Sequence, residues 1–191
     1  MPDAGRVIAG TARSIRLEAP GAGTRPLADR VKQTLFAIIE PDLPGSRFLD
    51  LFAGSGAGGI EALSRGAAHA TFVEQDRGAL RTIQRNLERT GLAGPDRATV
   101  VRADALTWLR DRARSSEAPY DLVLVDPPYD DVAALTAALE ALSPLVPPGA
   151  RVVAKHFWRT PPPAIVGLLA SERERRFGDT ALTFYRPTED A

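Results

Sequence analysis

An α/β fold is predicted: one mostly parallel, seven-stranded sheet with helices on both faces, a C-terminal antiparallel hairpin and a small N-terminal β-hairpin. Three observations predict it. Strand-like and helix-like segments take strict turns from residue 47 to residue 169, the order that builds parallel sheets from strand–helix–strand units. Tyr120-Asp121-Leu122-Val123-Leu124-Val125 ends in an unbroken apolar run, as a strand covered on both faces requires. Gly54, Gly56, Gly58 and Gly59 fall between one strand and the next helix, where a tight turn lets a helix N-terminus face a ligand.

The chain opens with residues 6–9 and 14–18, two short strands about a turn containing Gly10. Val31, Leu35, Ile38 and Ile39 then recur at helical spacing, and Pro41 and Pro44 end that helix. Strands at 47–52, 70–74, 98–102, 121–125 and 151–154 alternate with helices at 59–65, 78–90, 105–112, 132–142 and 163–169. Residues 173–177 and 181–186, joined by Gly178-Asp179-Thr180, form the hairpin that closes the sheet edge. Trp108 and Trp158 are expected in core or interface positions, and Glu172-Arg173-Glu174-Arg175-Arg176 on a solvated strand face.

With 191 residues, the chain has room for a single domain. Residues 1–24 are expected to form its hairpin extension and 25–191 its core, and a monomer is expected. The absence of cysteine excludes disulfides, thiolate nucleophiles and Cys-based metal sites, and two histidines, His69 and His156, argue against any metal centre. No apolar run reaches the roughly 20 residues of a membrane span, and no secretion signal opens the chain, so a cytoplasmic protein with no membrane partner is expected. Net charge is zero, which counts against a nucleic-acid partner. The balance is local, however: residues 1–32 carry Arg6, Arg13, Arg16, Arg25, Arg30 and Lys32 against Asp3, Glu18 and Asp29, so a basic face is expected there.

Ligands of such sheets sit beyond the carboxyl ends of the strands, and candidate residues stand at each of those ends. Asp50 and Phe52 stand at the end of the first strand of the alternation and Gly54, Ser55 and Gly56 in the turn after it, and the glycines let backbone approach a ligand closely. Gly54, Gly56 and Gly59 also fit G-x-G-x-x-G, so this loop alone leaves a nicotinamide-dependent oxidoreductase open. Glu74 ends the next strand, 24 residues after Asp50, where an acid can accept hydrogen bonds from both hydroxyls of a ribose. Asp104, with Ala105 after it, follows the third strand, positioned to receive an adenine amino group or simply to cap a helix.

Asp126-Pro127-Pro128-Tyr129 after the fourth strand is the hardest feature to explain as structure alone. Two successive prolines stop the strand and fix a rigid, extended turn. An aromatic amine is a poor nucleophile because its lone pair is delocalised into the ring. The Asp126 carboxylate and a carbonyl of the Pro127 turn can accept its two N–H protons and aim the lone pair at an electrophilic methyl group. Tyr129 would stack on the base carrying that amine.

D-L-F-A-G-S-G over residues 50–56, an acid at 74 and D-P-P-Y over 126–129 resemble the Rossmann-like class I S-adenosylmethionine methyltransferases. Thr24-Arg25-Pro26, Asp29-Arg30-Val31-Lys32, Leu35-Phe36, Ala62-Leu63-Ser64-Arg65-Gly66-Ala67 and Phe177-Gly178-Asp179-Thr180 extend the likeness across residues 6–186 to the RsmD family, bacterial enzymes that methylate N2 of a guanine in 16S ribosomal RNA. The resemblance implies S-adenosylmethionine as cofactor, with Gly54, Ser55 and Gly56 along its methionine part, Glu74 on its ribose, and Asp104 and Ala105 at its adenine. Asp50 and Phe52 are expected in the same pocket. Asp126, Pro127 and Tyr129 would handle the guanine, and Arg25 and Arg30 would face RNA or shape the cofactor pocket. The partner implied is 16S rRNA in an assembling small subunit. Gln33, Leu27-Ala28, Ser14 and Lys155-His156-Phe157-Trp158 depart from the family pattern, the last where an acidic residue is expected. Adenine N6 as the target remains the nearest alternative, and a non-catalytic RNA-binding factor a more distant one.

Overall fold

Alternating side chains along the central strands sort the core into two layers, one on each side of a single sheet. The computed structural model describes residues 3–21, 27–115, 119–128 and 131–188. In chain order the elements are β1 (Asp3–Arg6), β2 (Arg16–Glu18), α1 (Asp29–Ile39), β3 (Arg47–Leu51), α2 (Ala57–Ser64), β4 (His69–Glu74), α3 (Arg77–Thr90), β5 (Ala98–Arg102), α4 (Ala105–Arg112), β6 (Leu122–Val125), α5 (Val132–Leu142), β7 (Arg151–Phe157), β8 (Ile165–Val166), β9 (Leu169–Phe177) and β10 (Thr180–Pro187).

The main sheet has the order β5-β4-β3-β6-β7-β10-β9-β8. Its first five strands are parallel, and β10 is inserted antiparallel between β7 and β9. Phe48, Leu124 and Phe184 point into a layer shared with Phe36 of α1, Ile60 of α2 and Ile83 of α3. Their chain neighbours Leu49, Val125 and Tyr185 point the other way, against Leu109 of α4 and Leu139 of α5, as the two-residue period of a strand demands. Strand order reverses between β3 and β6, so a crevice opens at their carboxyl ends.

Helix α2 lies so close to the sheet that positions 58 and 59 have no room for a side chain. A Cβ on Gly59 would come within 2.3 Å of the Phe72 ring, and one on Gly58 within 2.6 Å of Leu124. This approach brings the first turn of α2 to the crevice.

Several expectations are corrected. The sheet holds eight strands rather than seven, and residues 163–169 are not a helix. Ile165 and Val166 pair as β8 with Ala170 and Leu169, with Gly167 at φ 57° in the turn between them. The apolar residues there alternate across an edge strand instead of lining a helix, and Ile165 is exposed while Val166 and Leu169 are buried. The C-terminal hairpin is correspondingly longer, and β7 runs on to Phe157.

The N-terminal hairpin exists: β2 lies within the predicted 14–18, whereas β1 begins earlier than predicted and shares only Arg6 with 6–9. The Ile8 and Ala9 amides donate to the carboxylate of buried Glu61, at 2.7 and 3.0 Å, instead of across the hairpin. Its tip therefore rests on α2, where a Cβ on Gly10 would collide with the Ser64 carbonyl. Lys32, expected on a basic face, is fully buried beneath it and donates to the Arg6 carbonyl at 2.5 Å. Burial pulls its pKa below the usual lysine range.

Candidate active site

The turn from β3 to α2 is built on left-handed backbone. Phe52 has φ 60°, Gly54 φ 55° and Gly56 φ 77°; only the glycines adopt this region without strain. The Gly54 amide donates to Glu74 Oε2 at 2.9 Å. Below the turn, buried Asp50 accepts the Gly59 amide on Oδ2 at 2.8 Å, tying the end of β3 to the first turn of α2. Burial, with Asp126 and Glu74 adding like charge, pushes the Asp50 carboxyl up to about 8. Gly56 stands behind the loop, its position filled on one side by Ile83 at 3.3 Å from a Cβ, and it does not line the cavity described next.

That cavity occupies about 660 Å³ at the carboxyl ends of β3, β4, β5 and β6. Asp50, Phe52, Gly54, Ser55, Glu74, Asp104, Ala105, Asp126 and Pro127 all line it, so segments following four different strands converge there. Glu74 Oε1 accepts the Asp76 amide at 2.9 Å while Oε2 takes Gly54, leaving each oxygen a second lone pair for a ligand hydroxyl. The structure shows the capping role for Asp104, its Oδ1 accepting the Thr107 amide at 2.9 Å at the start of α4, and the residue also borders the cavity. The Thr107 backbone N–H, the largest influence, holds the Asp104 carboxyl below the usual range.

Asp126 stands at the end of β6, its amide donating to the Leu51 carbonyl at 3.3 Å, and Pro127 and Pro128 carry the wall outward. The register pairs Val125 with Ala154, which sets Lys155 of β7 beside it. Lys155 Nζ lies 2.5 Å from Asp126 Oδ1. The sequence alone assigns Lys155 no role. A lone lysine near a strand end has many explanations, and only the strand register reveals its partner. Asp50, Glu74, Asp76, Asp104 and Asp126 face the cavity with Lys155 as the one base among the described lining residues.

The N-terminal hairpin also reaches this cavity, through Pro20, Gly21 and Leu27. Asn86 of α3 ties it down, accepting the Glu18 amide and donating to the carbonyls of Glu18 and Ser55, each at 2.9 Å. Arg30 lies exposed in the first turn of α1 and away from the cavity. Arg25 and Tyr129 lie outside the described residues, so neither expectation about them is tested by the geometry.

The family model described as "Conserved hypothetical protein 95" matches residues 5–186. The chain belongs to this family, which is the RsmD family. "Putative rRNA methyltransferase YlbH" of Bacillus subtilis is 38% identical over 184 residues, 95% of this chain and 98% of that protein. "Ribosomal RNA small subunit methyltransferase D" of Escherichia coli K12 is 42% identical over 125 residues, 65% of this chain and 60% of its own length. Among solved structures, a hypothetical protein of Thermus thermophilus superposes with TM-score 0.80 at 35% identity, covering 94% of this chain and 97% of that one.

Proposed function

We propose that this chain transfers a methyl group from S-adenosylmethionine to the N2 amino group of a guanine in 16S ribosomal RNA, acting as a monomer in the cytoplasm on an assembling small subunit. One observation carries the reading: the Asp126-Pro127-Pro128 turn stands on the rim of an acidic cavity built like a nucleoside site. The donor set fits the cofactor. Glu74 has acceptor capacity for a ribose, Asp104 for an adenine amine, and the carboxylate-rich wall suits a ligand carrying ammonium and sulfonium charge. The same wall is unsuited to the diphosphate of a nicotinamide dinucleotide, since its one lining base among the described residues, Lys155, is engaged by Asp126. Relatives named as ribosomal RNA methyltransferases support the substrate class.

S-adenosylmethionine, when bound, supplies the methyl group. The chain's own residues prepare the acceptor. Asp126 Oδ2 and the Pro127 carbonyl accept the two amine protons, turning the nitrogen lone pair out of conjugation and into the cavity. To Tyr129 this reading assigns stacking on the extruded base, and to Arg25 and Arg30 contact with the RNA.

The test is to incubate the protein with labelled S-adenosylmethionine and under-methylated small-subunit RNA or subunits, then identify the product nucleoside by mass spectrometry. N2-methylguanosine is expected; N6-methyladenosine would overturn the guanine assignment, and unlabelled RNA the whole reading. Asp126→Ala should retain cofactor binding while losing at least about 100-fold in kcat, the scale of removing a group that orients and polarises the reacting centre. Transfer at the parental rate would remove Asp126 from its role.

A further inference from the structure

Lysine is an odd residue to bury in a cavity that receives a cationic cofactor, because its ammonium repels that cofactor and loses hydration. Lys155 is nonetheless 6% exposed, lines the cavity and is aimed at the carboxylate assigned to the acceptor amine. Its position is set by backbone: β6 and β7 pair in parallel, and Asp126 and Lys155 each follow a paired residue, Val125 and Ala154. Gly59 and Thr107 amides engage Asp50 and Asp104, and the Gly54 and Asp76 amides engage Glu74. Asp126 differs from them in taking a side-chain cation.

We propose that Lys155 is a positioning residue for the methyl acceptor: by binding Asp126 Oδ1 it fixes the carboxylate so that Oδ2 alone faces the amine, and it cancels the carboxylate charge beside the cofactor. This rests on the function proposed above. A carboxylate held at one oxygen has a single orientation for its remaining acceptor, whereas a free one rotates and presents either oxygen, so the nitrogen lone pair loses its fixed direction. Charge cancellation has its own consequence. S-adenosylmethionine carries one more positive charge than S-adenosylhomocysteine, so the ratio of their affinities reports the potential at the transfer point. With Lys155 present the ratio is held down; without it, Asp126 is a bare anion and the charged ligand is favoured.

The experiment compares Lys155→Met, Lys155→Arg and Asp126→Asn in the full chain, with thermal melting to confirm folding. Isothermal titration of the two ligands without RNA should show Lys155→Met binding S-adenosylmethionine several-fold more favourably, relative to S-adenosylhomocysteine, than the parent does. The same variant should lose about tenfold or more in kcat with less than about a threefold change in KM for RNA, and Lys155→Arg should recover most of both effects. In an Asp126→Asn background, Lys155→Met should add less than about twofold, because a residue acting through Asp126 has nothing left to act on. An unchanged affinity ratio, or a full additional loss in the Asp126→Asn background, would overturn the proposal. If Lys155→Met does not fold, Lys155→Gln is read in the same way. Failure of the proposed function is seen separately, as a parent protein that transfers no methyl group to guanine.

Discussion

At the scale of single residues, two carboxyls of the cavity, Asp104 and Asp50, are shifted in opposite directions. Amide hydrogen bonds hold Asp104 down, while Asp50, with one amide partner and almost no exposure, is pushed to about 8. In the unfolded chain Asp50 titrates near 4. Between roughly pH 4 and 8 the folded state therefore holds a proton that the unfolded state has lost, so this residue's contribution to stability falls as pH rises through that window and levels off above it. Asp50→Asn keeps an acceptor for the Gly59 amide and removes the titration. The variant's melting temperature, relative to the parent's, should rise by at least about 3 °C between pH 5 and pH 8, given that 1 kcal/mol is worth about 2–4 °C in a chain of this size. An equal difference at both pH values would show that Asp50 does not titrate in that range.

The residues whose chemistry depends on where a strand ends were legible from sequence. Asp50, Glu74, Asp104 and Asp126 sit at or just past the ends of apolar runs, and parallel sheets put ligands there. Residues whose role depends on a distant partner were not. Lys155 needed the β6–β7 register, and Lys32 looked like surface charge until the hairpin that covers it was placed. Asp104 admitted two readings from its sequence context, and they do not exclude one another, because a helix N-cap and a cavity wall coincide at the end of β5.

At the scale of elements, the predicted alternation survives from β3 to β7 because its strands pair in parallel with helices packed on both faces, while the far edge of the sheet departs from it. Residues 163–169 are too few to fix a helix, and pairing with β9 supplies backbone partners that a single turn would leave to water. The N-terminal hairpin belongs functionally with α3, which clamps it against the glycine turn: Asn86, itself fully buried, bridges β2 and the Ser55 carbonyl with three hydrogen bonds. Arg85 and Arg89 add ion pairs to Glu18 from the same helix. Asn86→Ala leaves buried partners unsatisfied, at a cost of about 2–4 kcal/mol. Denaturant titration should show that loss, and S-adenosylmethionine affinity should fall with it because Pro20 and Gly21 lose their seat on the cavity. Full retention of affinity in the destabilised protein would separate the hairpin from the cofactor site.

At the scale of the whole molecule, a chain of zero net charge has to bind RNA through local arrangement. Three of the N-terminal bases are committed: Arg6 pairs with Asp29, Arg16 with Asp3, and Lys32 is buried. The opposite flank of the crevice offers more. Trp158 follows β7 directly, with the Arg176 guanidinium 3.4 Å and that of Arg159 5.0 Å from its ring centroid. It stands three residues beyond Lys155, roughly 10 Å along the strand direction from the level of Asp126, within reach of a nucleotide flanking the methylated one. Arginine and aromatic planes together are what an unpaired base stacks on. Trp158→Ala and Arg176→Ala should each raise KM for RNA by about tenfold without changing S-adenosylmethionine affinity, since stacking is worth about 1–3 kcal/mol per base. Arg176→Ala should also lower the salt dependence of RNA binding by about one unit of slope if its guanidinium meets a phosphate. Arg13→Ala, on the exposed tip of the N-terminal hairpin, is the comparison: a larger effect there than at Trp158 would place the RNA across the hairpin instead of along the end of β7.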